Sequence, residues 1–501
     1  MKPRWRKEFR ALLPGALGWW LMAALLVPLQ VFHQAGTFEP AWWLAVSVLA
    51  AAVFGQEFSA HTLERLLSQP VSRRRLWYEK MLPAAVMILL IPAVIILLMV
   101  LLDPSEILDP QFRMNFGLIA WRLFSVAVFA FGVVPWLTVR LRSLLAGAVF
   151  GLFLLNLLWV SLTALVSWGF PELGYFATVQ QFEFSIRVAP ALGCGALGYL
   201  LGCRQFLYFQ VVDGRGNAGL LSGMAVDWQW TRGHKPGRWG WLALVKKELC
   251  LHQVGALAAA LFCLTCLAAA LARKLAPAMD AWLMAAPLFL YWFILPVVIG
   301  AMVVAEERSS GLLECQLTLP PSRLQQWIIK TLAANALLLI LGVLLPTPWM
   351  VYLDSCFSRD SLQGFGWAAY WRTVPGLFWG AAVAMLASSL CRSSLNAILL
   401  TYGAAGVFLL GLMGLQLLHA TTGWFAMLDF APGRLDWLTD DGEITGRLQT
   451  VGIFLLAILT ILVMPYRNFR RNESSPRRAL LQLAAAFAAS LVFLLIYLAS
   501  C

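Results

Sequence analysis

Charged side chains are scarce in this chain. They make up 12% of its 501 residues, whereas hydrophobic residues make up 61%. A soluble domain carries about 45–50% apolar residues, so this composition exceeds what one hydrophobic core can absorb. A polytopic membrane protein accommodates it. The net charge of +12 does not indicate a nucleic-acid partner, because the basic residues fall in short loops between apolar runs.

Common catalytic and nucleotide-binding motifs are also missing. The chain contains no Gly-Lys dipeptide, and therefore no P-loop, and it has neither HExxH nor GxSxG. Its nine cysteines fall mostly inside apolar runs. Cys263 and Cys266 form one CxxC, but it lies within a predicted span and has no second pair, so small apolar packing residues are the simpler interpretation. We expect no catalytic residue, metal or cofactor on this chain.

Long apolar runs predict an all-α protein with membrane spans in two tandem halves. Most runs approach or exceed the ~20 residues needed to cross about 30 Å of hydrocarbon. The predicted spans are at about 15–33, 41–56, 81–102, 116–139, 143–167 and 187–209, then 250–272, 281–304, 331–353, 372–390, 395–418 and 448–465. A further run at 479–500 predicts an extra C-terminal span.

The predicted domains follow from this order. They are a first half at 1–210, a basic, glycine-rich cytoplasmic linker at 211–240, a second half at 241–470, and a basic loop with the extra span at 471–501. Each half begins with an amphipathic elbow helix, because Lys7-Glu8 recurs as Lys247-Glu248. Six spans per half is an even number, so we expect parallel halves related by an axis along the membrane normal.

The distribution of basic residues predicts the topology. With the N-terminus in the cytosol, most of the 37 Lys and Arg residues fall on the cytoplasmic side, as the positive-inside rule requires. We expect a multi-pass protein of the cell (inner or plasma) membrane.

A repeated polar segment interrupts the apolar runs. Residues 57–80 (loop 1) and 307–330 (loop 2) align without a gap, and each position in loop 1 matches the position 250 residues later, as Glu57 matches Glu307. Trp77 matches Trp327 and Lys80 matches Lys330 at the same offset. In both copies a short helix carrying leucines is expected before a proline.

These loops resemble the type-2 permeases of ATP-binding-cassette (ABC) transporters. In that family the pattern E-x-x-x-G-T-L-E-x-L-x-x-x-P-x-S-R lies between the second and third spans of each half. His61 departs from its Gly, and Leu312 from its Thr. The resemblance implies cytoplasmic coupling helices formed by Glu57, Thr62, Glu64, Ser68, Pro70, Ser72 and Arg73, and by Glu307, Gly311, Glu314, Pro320, Ser322 and Arg323.

The resemblance also implies the partners and the energy source. Because two permease halves are fused, two separate ABC ATPase subunits per chain would suffice, and those subunits would hold ATP and Mg²⁺. The chain would then be the permease subunit of an exporter. Alternatives are a secondary transporter, which would need mid-span carboxylates or His for ion coupling, and an integral-membrane transferase or protease.

Other interpretations of the polar residues stay open. The loop residues also suit helix caps and interfacial charges that set membrane depth. Arg122 and Arg372 lie near the outer ends of equivalent spans, where each either snorkels to the interface or meets substrate. Asn156 lies inside a span, where an amide either joins helices or lines the substrate path. The identity of the cargo is not encoded in any motif.

Overall fold

The structure is a computed structural model. It describes residues 38–59, 62–63, 67–68, 70–102, 110–169, 184–208, 240–275, 281–309, 322–356, 367–391, 393–394, 396–404, 463–469, 481–482 and 485. Every regular element in those ranges is helical, which confirms the predicted all-α class. Long apolar helices form because a segment in lipid must satisfy its backbone hydrogen bonds internally.

The helices are numbered in chain order. They are α1 (Phe38–Ser59), α2 (Arg73–Leu102), α3 (Pro110–Leu141), α4 (Leu144–Gly169), α5 (Ala189–Leu207), α6 (Gly240–Leu251), α7 (Gln253–Leu275), α8 (Ala281–Ser309), α9 (Arg323–Leu337), α10 (Thr347–Cys356) and α11 (Trp367–Leu390). Two π-helical segments, Phe184–Val188 and Leu338–Leu344, lead into α5 and follow α9.

Eight helices in the described ranges are long and apolar enough to cross a membrane. The coarse prediction of a multi-pass membrane protein is therefore confirmed. The spans predicted at 15–33 and 479–500 lie wholly or almost wholly outside the described residues, as do most of 395–418 and 448–465. The total number of spans, the elbow helices at the membrane surface and the axis between halves stay predictions.

The chain divides into two compact units. Unit 1 comprises residues 1–299 and 333–371, and unit 2 comprises residues 300–332 and 372–501. The boundaries fall inside α8, α9 and α11. The domain limits expected from the sequence stay a prediction beside this division.

In unit 1, α4 lies among several neighbours and packs against α1, α3, α7 and the segment 184–188. Helices α3 and α5 approach each other closely, which small residues permit. A Cβ placed on Gly195 would lie 2.6 Å from the carbonyl oxygen of Val128, and a Cβ on Gly132 would collide with the Gly195 carbonyl. Glycine at both positions therefore determines how near the two backbones come.

The π-helical segment Leu338–Leu344 is held by side chains of unit 1. The Tyr291 hydroxyl donates to the Leu341 carbonyl at 2.9 Å, and the Trp292 indole N–H donates to the Gly342 carbonyl at 2.9 Å. The Tyr370 hydroxyl donates to the Val343 carbonyl at 2.5 Å. Carbonyls exposed by a widened turn need such partners in an apolar surrounding, so donors to three consecutive carbonyls stabilise the irregular helix.

In unit 2, the end of α8 packs tightly against α11 through Ser388. The Ser388 hydroxyl oxygen accepts from the backbone N–H groups of Val304 and Ala305 at 3.0 and 2.8 Å, and the hydroxyl donates to the Ala301 carbonyl at 2.8 Å. A Cβ on Gly300 would lie 2.6 Å from the Ala384 Cβ. This contact fixes the end of α8, where loop 2 begins.

Candidate functional site: two ion-paired loops

Loop 1 is closed by an ion pair between its first and last residues. The Lys80 ammonium donates to Glu57 Oε1 at 2.8 Å, and the two side chains are 3% and 12% exposed. Glu57 lies in the last turn of α1, and Lys80 lies near the start of α2. The Thr62 hydroxyl donates to the other carboxylate oxygen, and the Thr62 N–H donates to the Glu57 carbonyl at 3.0 Å.

Loop 2 is closed by the equivalent pair. The Lys330 ammonium donates to Glu307 Oε1 at 2.5 Å, with side chains that are 1% and 0% exposed. The same ammonium also donates to the Val303 carbonyl at 3.4 Å. Glu307 and Lys330 match Glu57 and Lys80 in the aligned repeat, so the two copies share one interaction as well as one sequence pattern.

These pairs have a physical consequence for the loops. A buried charge requires a close partner, because removing it from water costs several kcal/mol. Each pair therefore holds the end of one helix against the start of the next. A force applied to either loop would act on both of its flanking helices.

An aromatic contact next to each ion pair repeats as well. The Trp77 ring lies 5.6 Å from the Phe206 ring in unit 1, and the Trp327 ring lies 5.7 Å from the Phe469 ring in unit 2. Trp77 also stacks on Phe54 at 5.0 Å. These contacts fix the first turn of α2 against Phe206 of α5, and the first turn of α9 against Phe469.

Sequence reasoning missed this aromatic partner. Its signal was the pair of similar triplets Arg204-Gln205-Phe206 and Arg467-Asn468-Phe469. The triplets are 263 residues apart rather than 250, as the numbers of Phe206 and Phe469 show, so a search at the constant offset of the loops does not find them.

Several predicted coupling residues serve as helix-end groups in the structure. Ser322 immediately precedes α9; its hydroxyl oxygen accepts from the Gln325 N–H at 3.3 Å, and the Gln325 side chain accepts from the Ser322 N–H at 3.0 Å. This is a capping box. The Arg73 guanidinium donates to the Leu207 carbonyl at 2.8 Å, which joins the start of α2 to the end of α5.

The middle of loop 1 is turned outward at its described positions. Ser68, Pro70 and Ser72 are exposed, whereas Leu63 is buried. Arg323 of loop 2 is exposed too. Glu64, Gly311, Glu314 and Pro320 lie outside the described residues, so their predicted coupling role stays a prediction.

The predicted substrate-path residues lie on three helices. Asn156 is buried in the middle of α4, and Arg122 is partly exposed on α3. Arg372 lies on α11, but its side chain is outside the described part. Among the described residues, no group of three His, Cys, Asp or Glu side chains converges where a metal ion could bind.

Comparison with known proteins adds no relative to this description. No protein-family model, no curated protein and no solved structure matches the chain significantly.

Proposed function

We propose that this chain is the permease subunit of an ATP-driven transporter, moved by separate ATPase subunits that dock on loops 1 and 2. The supporting observation is the pair of matched ion-paired loops, Glu57 with Lys80 and Glu307 with Lys330. The proposal also draws on the resemblance of both loops to the coupling segments of type-2 ABC permeases. The direction we propose is export.

The geometry suits transmission of force. Each loop joins two helices whose ends are held together, so a partner that moves the loop would tilt both helices as one body. An exposed stretch around Ser68 and Pro70 of loop 1 gives such a partner access. Two loops of the same design would accept two subunits of the same kind.

The direct test is a charge reversal at two glutamates that occupy matching positions in loops 1 and 2, Glu64→Lys with Glu314→Lys. The tagged chain is purified from its native membrane, and the ATP hydrolysis that accompanies it is measured. We expect the wild-type chain to recover an ATPase, and the double variant to recover at least about tenfold less activity, because reversed charges at a protein contact cost several kcal/mol.

A control variant separates docking from misfolding. Asp354 is exposed at the end of α10, and Asp103 follows α2; both are predicted to face the outer side. Reversing these two carboxylates changes the net charge equally and should leave the recovered ATPase unchanged. Recovery of no ATPase with the wild-type chain, or equal recovery with both double variants, would show that the proposal is wrong.

A further inference from the structure

One face of α4 carries three buried polar side chains, Asn156, Trp159 and Thr163. They are 3%, 4% and 0% exposed, respectively. Their spacing of three and four residues places them on one side of the helix. In the described part of the chain, Asn156 Oδ1, Trp159 Nε1 and Thr163 Oγ1 have no hydrogen-bond partner.

Other buried threonines show that this is unusual. The hydroxyls of Thr138 and Thr401 donate at 2.8 and 2.7 Å to the carbonyl four residues earlier in their own helices. Thr265 donates to the carbonyl three residues earlier at 2.8 Å. A helix thus offers a partner to a threonine hydroxyl, but Thr163 does not use it.

Two buried indoles and one buried amide allow the same comparison, whereas the buried Trp77 N–H also has no hydrogen-bond partner in the described residues. The Trp349 N–H donates to the Met284 carbonyl at 3.3 Å, and the Trp292 N–H is bonded as described above. The Asn468 amide nitrogen donates to Ser389 and to Gln482 at 3.0 and 2.7 Å. A buried polar atom without a partner is destabilising, so three on one helix face point to an external ligand.

A positive charge lies beside the row formed by Asn156, Trp159 and Thr163. The Arg187 guanidinium carbon is 5.5 Å from the centre of the Trp159 ring. Trp43 packs edge-on against the same ring at 4.7 Å and covers it from α1. Arg187 is partly exposed, and its positive charge attracts an anionic group to this side of α4.

The row also has a position along the membrane. Asn156 is twelve residues from the start of the 26-residue helix α4, so it lies roughly 18 Å along a helix of about 39 Å. Trp159 and Thr163 follow toward the end predicted to face outside. Arg187 lies just before α5, at the same predicted end.

We infer that Asn156, Trp159, Thr163 and Arg187 bind an anionic amphiphile whose headgroup carries hydroxyl groups. The carbonyl oxygen of Asn156 accepts from a hydroxyl, the Trp159 N–H donates to an oxygen, and Thr163 does either. Arg187 supplies the attraction for the anionic group, and the apolar helices around α4 accommodate the chains. This inference deepens the proposed function, and calling the amphiphile a cargo rests on that function.

The test uses two lipids with the same charge. Phosphatidylglycerol has a headgroup with two hydroxyls, whereas phosphatidylmethanol has none. The full chain is placed in phosphatidylcholine nanodiscs that contain equal minor amounts of both, and native mass spectrometry measures the lipid retained. We expect phosphatidylglycerol to be enriched roughly tenfold over phosphatidylmethanol, the factor that two hydrogen bonds provide.

Three variants make the test specific. Asn156→Leu with Thr163→Val should abolish the enrichment, and it should unfold at the same temperature or higher in phosphatidylcholine alone because it removes polar atoms without partners. Arg187→Gln should lower the retention of both anionic lipids. Thr138→Val is the matched control, since its hydroxyl is already bonded within α3, and it should keep the enrichment.

No enrichment in the wild-type chain, or enrichment that survives the double variant, would overturn the inference and leave the row as a packing feature or a water site. Lipid retention needs no ATPase, so it can succeed or fail independently of the docking experiment. Enrichment without an associated ATPase would support this site and contradict the proposed coupling.

Discussion

Loops 1 and 2 carry the same ion pair in two different environments. Glu57 is 12% exposed and accepts from both Lys80 and Thr62, whereas Glu307 is fully buried with Lys330. Position 62 of loop 1 corresponds to Leu312 of loop 2, so the threonine partner is absent from the second copy. Two equivalent residues can therefore keep one interaction while the surrounding solvent and neighbours change.

The difference in exposure between Glu57 and Glu307 predicts how much each ion pair contributes to stability. Solvent access to Glu57 compensates in part for a lost partner, because a partly exposed carboxylate loses less hydration than a fully buried one. The Glu307 carboxylate has no exposed surface, so water cannot compensate for the loss of Lys330. Loop 2 should therefore be the more sensitive copy, and the substitutions below test that ranking.

The largest effect is expected for Lys330→Met. It leaves the Glu307 carboxylate buried without its ammonium, which should lower the free energy of unfolding by about 3–5 kcal/mol. The midpoint of thermal unfolding in detergent measures it. Adding Glu307→Leu to the same variant should restore most of the loss, since a buried pair is replaceable by apolar residues. A double variant as unstable as the single one would contradict the electrostatic explanation.

A smaller effect is expected for Lys80→Met. Glu57 keeps its bond from Thr62 and some contact with water, so the loss should be about 1–3 kcal/mol. The same unfolding measurement applies, and Thr62→Val added to Lys80→Met should bring the loss closer to that of Lys330→Met. If Lys80→Met is already the more damaging change, the ranking of the two loops is reversed and our explanation by burial is wrong.

The helix contact behind loop 2 gives a third comparison. Ser388 bonds to the backbone of α8, whereas Thr138, the residue 250 positions earlier, bonds to its own helix at the Val134 carbonyl. Ser388→Ala should cost about 1 kcal/mol, and Thr138→Ser should be nearly neutral because it keeps the hydroxyl. Equal losses of stability would show that the bond to α8 adds nothing beyond packing.

The smallest effect concerns reactivity. Cys391 follows α11, and Leu141 is the residue 250 positions earlier. Burial raises the pKa of the Cys391 thiol to about 11, although Arg308 acts in the opposite direction. Since the thiolate is the nucleophile, alkylation by iodoacetamide should be slow at pH 8 and rise about tenfold per pH unit up to pH 10. A rate that levels off near pH 9 would show an ordinary thiol.

Several features were predictable because they depend on local patterns. Apolar runs of the right length predict helices wherever they occur, and eight described helices agree in length and composition with a membrane span. The position of Asn156 inside a span was predictable for the same reason. The absence of a hydrogen-bond partner for Asn156 Oδ1 was not predictable, because a partner for an amide oxygen depends on which helix faces α4.

Other features needed the fold. Thr163 gave no signal in the sequence, since threonine in a helix ordinarily bonds to its own backbone. Trp77 and Trp327 were recognised as equivalent, but the Phe206 and Phe469 partners lie far away in sequence and at a different offset. The capping role of Ser322 was open, because the same serine also suits a contact with a partner protein.

By itself, the sequence determined that the chain is helical, that it suits a membrane, and that loops 1 and 2 repeat with Glu and Lys at matching ends. These properties follow from hydropathy, charge and spacing, which are local. Tertiary structure alone decided that each Glu forms an ion pair with the Lys of its own loop, and that the pair in loop 2 is more deeply buried than the pair in loop 1. It also decided that three polar atoms of α4 have no hydrogen-bond partner in the described part of the protein. Those outcomes depend on how helices distant in sequence pack against each other, and the sequence of a single segment does not determine that packing.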